Sequence, residues 1–517
     1  MHSARNLGDP EFIPTNRDRM NNRKGNLIMH EFRESDSPIV LKKQPNKTDI
    51  HQTVAEAVEG RGLAKRNAEK FPKVRTQRRV ALPVKLLRIR QAKRQKGEKF
   101  NALYHHVYST ENLKTAFYSL RRKTAPGKDQ ITWKKYEENL GNNLKRLSGK
   151  LKSGTYRPEP VERRYIPKQD GRLRPIGIPV LEDKIVQKTM VLVLNQMYEK
   201  EFRNFSYGFR PGRSQHHALD AVSYAIEKRR INWILDCDIQ GFFDHLSHDW
   251  LIRFLEHEIS DKRIISLINR WLRAGVLEEG ILTRTESGTP QGGSISPLLA
   301  NIYLHYVLDL RVAKWRNQEA KGQVIIVRYA DDFVVGFQYK SEAERFWKSI
   351  ASRLGQFNLH LNEKKTRLIQ FGRHAQRERA KRGKGRAETF EFPGFTHICS
   401  KSPKGYFIVM RQTSAQRMRQ KIREIKEQLR YRLHEKIREV GKWLRSVLIG
   451  HYRYYGVPFN MVKMRAFYNE LIRLWFEQLK RRSQRTTLNW ERMKRIKDQL
   501  LPYPKIYHTF PSKRLVV

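Results

Sequence analysis

Residues 324–337 of this 517-residue chain read VIIVRYADDFVVGF. Two apolar, β-branched runs flank a short polar break, and this pattern predicts a β-hairpin with Asp331 and Asp332 at or near its tip. Adjacent carboxylates on a turn repel each other and add nothing to a hydrophobic core. Their placement therefore favours a functional role over a packing role.

A second pair of acidic residues lies upstream, in the run WILDCDI of residues 233–239. Asp236 and Asp238 stand two positions apart, so that on a strand both side chains point to the same face. Carboxylates from neighbouring strands can converge on two Mg²⁺ ions, which stabilise the attacking and leaving oxygens of an in-line phosphoryl displacement. The pattern thus predicts a two-metal site built from both acidic segments.

The charge of the chain indicates a polyanionic partner. Lys and Arg number 104 against 52 Asp and Glu, which gives a formal net charge of +52. A field of this sign concentrates nucleic acid near the surface. No apolar run approaches the roughly 18 residues that a membrane span needs, and residues 1–30 lack the core of a signal peptide. We therefore expect a cytoplasmic protein without a membrane partner.

The hydrophobic pattern divides the chain into four parts. Residues 1–90 are polar and aperiodic, which predicts a flexible or RNA-ordered basic extension. Residues 91–400 alternate helical and strand patterns and favour an α+β fold. Residues 401–485 predict helices with a basic face, and residues 486–517 predict a short basic tail. The helical stripe comprises Met418, Ile422, Ile425, Leu429, Leu433, Ile437, Val440 and Leu444.

Three motifs occur in the order and spacing of a known enzyme family. Residues 329–332, YADD, resemble the signature turn of reverse transcriptases, and residues 238–244, DIQGFFD, resemble the other acidic motif of that family. Between them, residues 288–304 read GTPQGGSISPLLANIYL and are similar almost letter for letter to the long motif of group II intron proteins. The chain is identified as a member of the bacterial group II intron-encoded reverse transcriptase/maturases, or of their group II-like relatives.

This resemblance implies a right-hand polymerase and a set of metal ligands. Fingers and palm would occupy residues 91–400, and a helical thumb/maturase segment would follow them. Asp238, Asp331 and Asp332 would be the catalytic residues and would hold two Mg²⁺ ions, with Mn²⁺ as the alternative. Asp236 stays a competing ligand, and Asp238 is preferred because Phe243 lies at the family's offset from it.

Four residues are implied to bind the incoming dNTP. Phe243 would exclude a ribose 2′-OH, unless its ring belongs to the core, and Gln291 would lie against the templating base pair. Residues 165–179, YIPKQDGRLRPIGIP, place Lys168 and Arg174 on either side of a Gly turn. Such a hairpin suits the clamping of a triphosphate, and its resemblance to the fingers motif of the family gives that role to both cations.

Two further motifs are implied to contact the nucleic acid. Residues 207–214, YGFRPGRS, match a family motif, and we expect Arg210 and Arg213 to grip the template or primer backbone. Residues 359–366, LHLNEKKT, resemble a late polymerase motif, which places Lys365 among the nucleic-acid-binding residues.

The thumb/maturase segment interleaves cations and aromatic rings in residues 443–456, WLRSVLIGHYRYYG. Phosphate contacts and base stacking would suit structured RNA, so Arg445 and Arg453 are predicted to bind it. Some of the rings are expected to be core. Residues 381–386, KRGKGR, predict an exposed basic loop.

The sequence departs from the family in three places. Pro393 stands in FEFPGF, residues 390–395, where Leu is usual, and residues 125–130 read APGKDQ where relatives carry Gly-x-Asp-Gly. Many relatives continue into an HNH endonuclease with paired cysteines. Because the chain has only Cys237 and Cys399, we expect this nuclease to be lacking, together with any disulfide framework or Cys₄ zinc site.

The leading interpretation is an RNA-directed DNA polymerase that copies an RNA template from a DNA primer. It would also bind its own group II intron RNA, assist splicing and support insertion of the intron into target DNA. One alternative is a stand-alone group II-like reverse transcriptase used in DNA repair or phage defence. Another is a non-catalytic RNA-binding splicing factor, against which the intact acidic set argues. The sequence predicts no oligomeric state.

Overall fold

A computed structural model describes residues 83, 86–89, 99–167, 173–278, 281–283, 288, 292–482 and 488–514. Most of the predicted extension, residues 1–90, therefore lies outside the described residues. Its last part does not behave as a free arm, because the side chains of Leu86 and Ile89 are buried in the main hydrophobic core.

The helices of the described residues run in chain order as α1 (Tyr104–Val107), α2 (Thr110–Ser119), α3 (Trp133–Glu138), α4 (Leu140–Lys152), α5 (Leu181–Glu201), α6 (Gln215–Lys228), α7 (Phe242–His245), α8 (His248–Glu258), α9 (Lys262–Arg273), α10 (Ser296–Leu304), a π-helix (His305–Asp309), α11 (Leu310–Gln318), α12 (Lys340–Gly355), α13 (Ala375–Lys381), α14 (Ala415–Tyr431), α15 (Ile437–Tyr455), α16 (Met461–Lys480), α17 (Trp490–Leu500) and α18 (Pro511–Arg514).

The strands are β1 (Val161–Pro167), β2 (Leu173–Ile178), β3 (Trp233–Cys237), β4 (Val276–Glu278), β5 (Ile281–Thr283), β6 (Val324–Tyr329), β7 (Asp332–Phe337), β8 (Arg367–Gln370), β9 (Phe390–Phe392), β10 (Phe395–Lys401) and β11 (Phe407–Thr413). They form three sheets, in the orders β2-β1-β4-β5, β6-β7-β3-β8 and β11-β10-β9. The prediction of an α+β chain is confirmed by this combination of helices and largely antiparallel sheets.

The sheet β6-β7-β3-β8 is covered on both faces, which explains the continuous apolar runs in its strands. Alternate side chains enter different cores. Leu235, Val335 and Phe337 belong to the main core with helices α8, α10 and α12. Ile234 and Val334 belong to a second core with helix α6 and the three-stranded sheet. Because both faces are fixed by packing, the strand ends that carry the acidic residues are held in one register.

The helical thumb begins later than predicted. Residues 407–413 form β11, which pairs with β10 along its whole length, so the helices start at Ala415 rather than at residue 401. The predicted apolar stripe is also interrupted, because α14 ends at Tyr431 and α15 begins at Ile437. Ile425 and Leu429 of α14 are buried with the following helices, whereas Ile437 is exposed.

The predicted basic tail is a folded part of the molecule. Within residues 488–514, α17 buries Met493 in the thumb core. In α18, Arg514 forms an ion pair with Asp220 of α6, which also pairs with Arg411 at 2.7 Å. The end of the chain thus connects the thumb to the palm. No helix among the described residues is both long enough and apolar enough to span a membrane.

Candidate active site

The hairpin predicted from residues 324–337 is confirmed. Strands β6 and β7 are antiparallel, and their last facing pair is Tyr329 with Asp332, so Ala330 and Asp331 form a two-residue turn. Ala330 has a φ of 60°, a left-handed conformation that costs energy for a residue with a Cβ atom. Such strain persists only where surrounding contacts over-determine the backbone.

Arg328 supplies the largest of these contacts. Its side chain is 0% exposed. Its Nε and one terminal nitrogen donate to both oxygens of Asp309 at 2.8 and 2.6 Å. The other terminal nitrogen donates to Asn301 Oδ1 at 3.1 Å and to the carbonyl oxygen of Ala330 at 2.9 Å. A buried ion pair therefore holds the carbonyl of the strained turn.

The segment that precedes α6 supports the turn from the other side. The Tyr207 amide donates to the Arg328 carbonyl at 2.9 Å, and Asn301 Nδ2 donates to the Gly208 carbonyl at 2.7 Å. A Cβ atom on Gly208 would lie 2.3 Å from the Ala330 amide nitrogen, so only glycine fits this approach. The next residue, Phe209, also has a left-handed φ of 58° and is 56% exposed beside the hairpin.

The predicted catalytic carboxylates lie at the same end of the palm sheet. Cys237 of β3 faces Phe333 of β7, which brings Asp238 beside the tip of the hairpin. Burial, followed by repulsion from Asp331 and Asp238, raises the pKa of Asp332 to about 7. Burial also raises the pKa of Asp331, and Asp238 adds to this effect. The carboxylates of Asp331 and Asp332 thus lie close enough to Asp238 to be repelled by its charge.

Asp236 and Asp238 each have a basic partner on the adjacent segment. Lys365 Nζ lies 3.2 and 3.1 Å from the two oxygens of Asp238. Arg367 of β8 lies 3.4 Å from Asp236, whose pKa burial raises to about 6 despite this neighbour. The structure places the ammonium group of Lys365 beside the acidic cluster, and its contact with nucleic acid stays a prediction.

In the arrangement shown, no three acidic, His or Cys side chains of the described residues are placed to hold a metal ion together. At the predicted site, the Asp238 carboxylate is directed to Lys365. The donor chemistry nevertheless fits a hard cation, since Asp238, Asp331 and Asp332 offer only carboxylate oxygens, which Mg²⁺ prefers. Their mutual repulsion is also what a bound cation would relieve.

Of the residues predicted to bind the nucleotide, Arg174 and Phe243 lie within the described ranges. Arg174 of β2 is exposed and near enough to Asp331 to oppose the rise in its pKa. Phe243 is half-buried, and its ring meets Phe242 edge-to-face with centroids 5.2 Å apart. It is therefore neither a fully buried core residue nor a free surface ring. Lys168 and Gln291 lie outside the described residues.

Arg210 is a structural residue, in contrast to its predicted contact with a template or primer. It is 5% exposed. Its five N–H groups are used by the Glu199 carboxylate and carbonyl and by the carbonyls of Arg203 and Ser206. Arg213 is half-buried over the Tyr207 ring and donates to Asn204, and burial lowers its pKa to about 10. The motif therefore shapes the turn at Gly208.

In α15 of the thumb, the two predicted cations and the tyrosine rings have different surroundings. Arg445 and Arg453 of α15 are both exposed. Tyr452 is buried in the thumb core, and Tyr454 and Tyr455 pack against Phe395 with centroids 5.7 and 5.1 Å away. The structure does not support base stacking on these tyrosine rings, because they pack in the thumb core and between the thumb and the palm.

Sequence reasoning missed the network of Arg328, Asp309 and Asn301. A signal was present, because a charged residue in the middle of an otherwise apolar strand is rarely buried without a partner. The π-helix that carries Asp309 is a second signal in the structure, since such turns frequently mark functional sites. The partner of Arg328 lies 19 residues away, beyond any local pattern.

Comparisons with known proteins agree with this geometry. Residues 166–397 match the reverse transcriptase (RNA-dependent DNA polymerase) family. Protein YkfC of Escherichia coli (strain K12) is 34% identical over 298 residues, which cover 50% of this chain and 78% of YkfC. The chain belongs to the reverse transcriptase family. It is a group II-like member and an RNA-directed DNA polymerase, with the right-hand fold expected for that family.

Another relative is the group II intron-encoded protein LtrA of Lactococcus lactis subsp. cremoris, 37% identical over 220 residues. These residues cover 42% of this chain but only 36% of LtrA. A solved structure of apo telomerase from Candida tropicalis is similar with a TM-score of 0.36 and 16% identity, covering 58% of this chain and 65% of the telomerase chain. Reverse transcriptase domains generally use divalent metal ions, and RNA is among their partners.

Proposed function

We propose that this reverse transcriptase copies RNA into DNA at the acidic end of the palm sheet, with Asp238, Asp331 and Asp332 as the ligands of two Mg²⁺ ions. The observation that carries the proposal is the convergence of these carboxylates at one end of the palm sheet, where burial, and then repulsion from Asp331 and Asp238, raises the pKa of Asp332 to about 7. Carboxylates whose pKa is raised by burial and by neighbouring acids are typical of catalytic sites. Binding of a cation requires Asp238 to exchange its ion pair with Lys365.

Bound divalent ions would stabilise the developing charge on the attacking 3′ oxygen and on the leaving pyrophosphate. The residues of the chain then orient the reactants. Arg174 faces the acidic cluster from the fingers hairpin, where a cation neutralises triphosphate charge. Phe243 would limit the space for a 2′-OH beside Asp238. Arg328 would act as a positioning residue, because its guanidinium holds the Ala330 carbonyl in the turn that carries Asp331.

We also propose that the chain binds folded intron RNA and assists its splicing and mobility. The support is the net charge of +52, the exposed Arg445 and Arg453, and the similarity to LtrA, an intron-encoded protein. A stand-alone polymerase of the same type is the second candidate, since YkfC, which matches over 78% of its length, is not named as an intron-encoded protein. An intron RNA enclosing the gene would favour the first candidate over the second.

The polymerase proposal is tested by primer extension on an RNA template with Mg²⁺ and dNTPs. The substitutions Asp331→Asn and Asp332→Asn remove charge without changing side-chain size. We expect each to lower the extension rate by about 10²–10³-fold, comparable with the loss of one strong electrostatic stabiliser. The matched control is Asp249→Asn, an exposed acid of α8. Equal extension by the double variant and the control would overturn the assignment.

A further inference from the structure

The segment between β8 and β9, residues 372–389, is an excursion from the palm sheet that the polymerase site does not use. We name it the basic loop. It contains seven Lys or Arg residues and two Glu residues, and α13 lies within it. The motif KRGKGR, residues 381–386, forms its outer part, and every residue of that motif is exposed.

The basic loop is held in shape by hydrogen bonds that use both of its acids. Gln370 at the end of β8 donates from its side-chain Nε2 to Glu378 at 2.5 Å and from its backbone N–H to Glu388 at 3.2 Å. Arg379 pairs with Glu388 at 3.0 Å and donates from Nε to the carbonyl of Arg386 at 3.0 Å. The loop is therefore held in a defined conformation. Its two carboxylates, Glu378 and Glu388, bind Gln370 and Arg379 where the loop meets the sheet.

The cations of the outer part remain free. Within the described ranges, the side chains of Lys381, Arg382, Lys384 and Arg386 make neither an ion pair nor a hydrogen bond. Some other exposed cations are paired within the described residues, for example Lys442 with Glu439 at 2.7 Å. Four like charges fixed within six residues repel one another and create a strong local field for a polyanion.

The position of the basic loop separates it from the catalytic acids. Gln370 faces Trp233, whereas Asp238 follows the other end of β3. Trp233 and Asp238 are five residue steps apart, or about 17 Å at the usual rise per residue of a strand. The loop therefore projects from the end of the palm opposite the acidic cluster, where neither the triphosphate nor the primer terminus would lie.

A second exposed feature lies at the base of the basic loop. Cys399 of β10 donates from Sγ to the Gly372 carbonyl at 3.6 Å. Strand β10 ends two residues later at Lys401, and the turn to β11 carries the exposed Lys404 and Tyr406. Tyr406 is 72% exposed, which leaves its ring accessible to a stacking partner.

We infer that the basic loop and the 401–406 turn together bind a folded RNA. The cations of the loop contact RNA phosphates, and the Tyr406 ring stacks on an unpaired base. Stacking on an exposed ring requires a base that is splayed out, as in the loops and bulges of folded RNA and not in duplex DNA. This surface deepens the proposed binding of intron RNA and rests on that proposal. It would anchor the RNA apart from the template in the polymerase cleft.

The test compares two variants with the same change in net charge. In the loop variant, Lys381, Arg382, Lys384 and Arg386 are each replaced by Gln. In the control, the exposed fingers cations Lys123, Lys134, Lys135 and Lys145 are each replaced by Gln. Affinities of the full chain for a structured group II intron RNA and for duplex DNA of equal length are measured against salt, beside primer extension on a short RNA template.

We expect the loop variant to bind the structured RNA at least about 10-fold more weakly than the control. Its log–log salt dependence should be flatter by roughly 0.7–0.9 for each phosphate contact removed. Primer extension on the short template should be unchanged. Tyr406→Ala should weaken RNA binding without changing the salt dependence, and Tyr406→Trp should restore the affinity.

Three outcomes would overturn the inference. Loop and control variants of equal affinity would show that only net charge matters, and an equal loss on duplex DNA would show that folded RNA is the wrong partner. Loss of primer extension would place the loop in the polymerase cleft. If the unaltered chain itself fails to bind structured RNA, the proposed intron function fails as well. If the unaltered chain and the control bind and the loop variant binds equally, only this inference fails.

Discussion

The catalytic hairpin of the palm and helix α15 of the thumb solve opposite problems. The hairpin brings like charges together and fixes them through the buried Arg328–Asp309 ion pair at 2.6 Å. Helix α15 keeps its rings in the core and leaves Arg445 and Arg453 exposed. A function that depends on the position of a few atoms needs a rigid frame, whereas attraction of a polyanion depends on summed charge. Single substitutions should therefore be severe in the palm and graded in the thumb.

The largest effect is expected from breaking the buried pair. Asp309→Ala leaves the Arg328 guanidinium buried without its carboxylate, which should lower the free energy of unfolding by about 3–5 kcal/mol. Denaturant unfolding measures this change. The control is Glu470→Gln, which removes one partner of the exposed Arg473 and should cost no more than about 1 kcal/mol. Losses of similar size in both variants would contradict the idea that the hairpin depends on this pair.

A smaller effect is expected from removing the buried Asp332 carboxylate in metal-free protein. The pKa of Asp332 rises from 3.8 to about 7 in the folded state, mainly through burial. The folded chain therefore keeps a proton that the unfolded chain releases, and stability falls as the pH rises from about 4 to 7. Asp332→Asn cannot lose this proton, so its stability advantage should grow between pH 5 and pH 8.

The growth is expected to be on the order of 1–3 kcal/mol, from denaturant unfolding in the presence of a chelator. The exposed Asp249→Asn serves as the control and should show no such growth. Added Mg²⁺ should stabilise the unaltered chain more than Asp332→Asn, because a bound ion needs the carboxylate. A constant difference across this pH range would mean that Asp332 is ionised without strain.

The palm was the more predictable of the two regions from sequence. The hairpin and its acids were found because strand periodicity and a two-residue break are local patterns. The structural role of Arg210 was not predicted, since its partner Glu199 lies on helix α5. Nothing in the sequence around this Arg indicates that its side chain is buried. The same limit concealed Arg328, whose surroundings are set by packing between distant segments.

The sequence predicts the helical character of the thumb but not the boundaries of its helices. Helical spacing identified buried positions such as Val440 and Leu444. It did not locate the break between Tyr431 and Ile437, because the apolar stripe keeps its period across the break. Nor did it reveal that residues 490–500 complete the bundle, since a single buried Met493 in a basic segment gives almost no hydrophobic signal.

The third prediction concerns sugar selection beside the hairpin. Phe243→Ala should reduce the preference for dNTPs over rNTPs by roughly 10–200-fold, the range for adding or removing small groups at a binding pocket. Steady-state extension with each nucleotide type measures it. Phe243→Tyr keeps the ring and should keep the preference. If the half-buried ring belongs only to the core, Phe243→Ala will lose stability while its sugar preference stays the same.

The smallest single-site effects are expected in the thumb. Arg445→Gln and Arg453→Gln should each weaken binding to structured RNA and flatten its log–log salt dependence by roughly 0.7–0.9, since each would remove about one phosphate contact. Extension of a short, saturating primer–template should not change, because the acidic cluster lies in the palm. Arg473→Gln is the matched control. This exposed Arg of α16 is already paired with Glu470 and Glu477, so its loss should leave the salt dependence nearly unaltered. If the two α15 variants behave like Arg473→Gln, the thumb serves packing alone, and the graded, charge-driven half of the comparison is wrong.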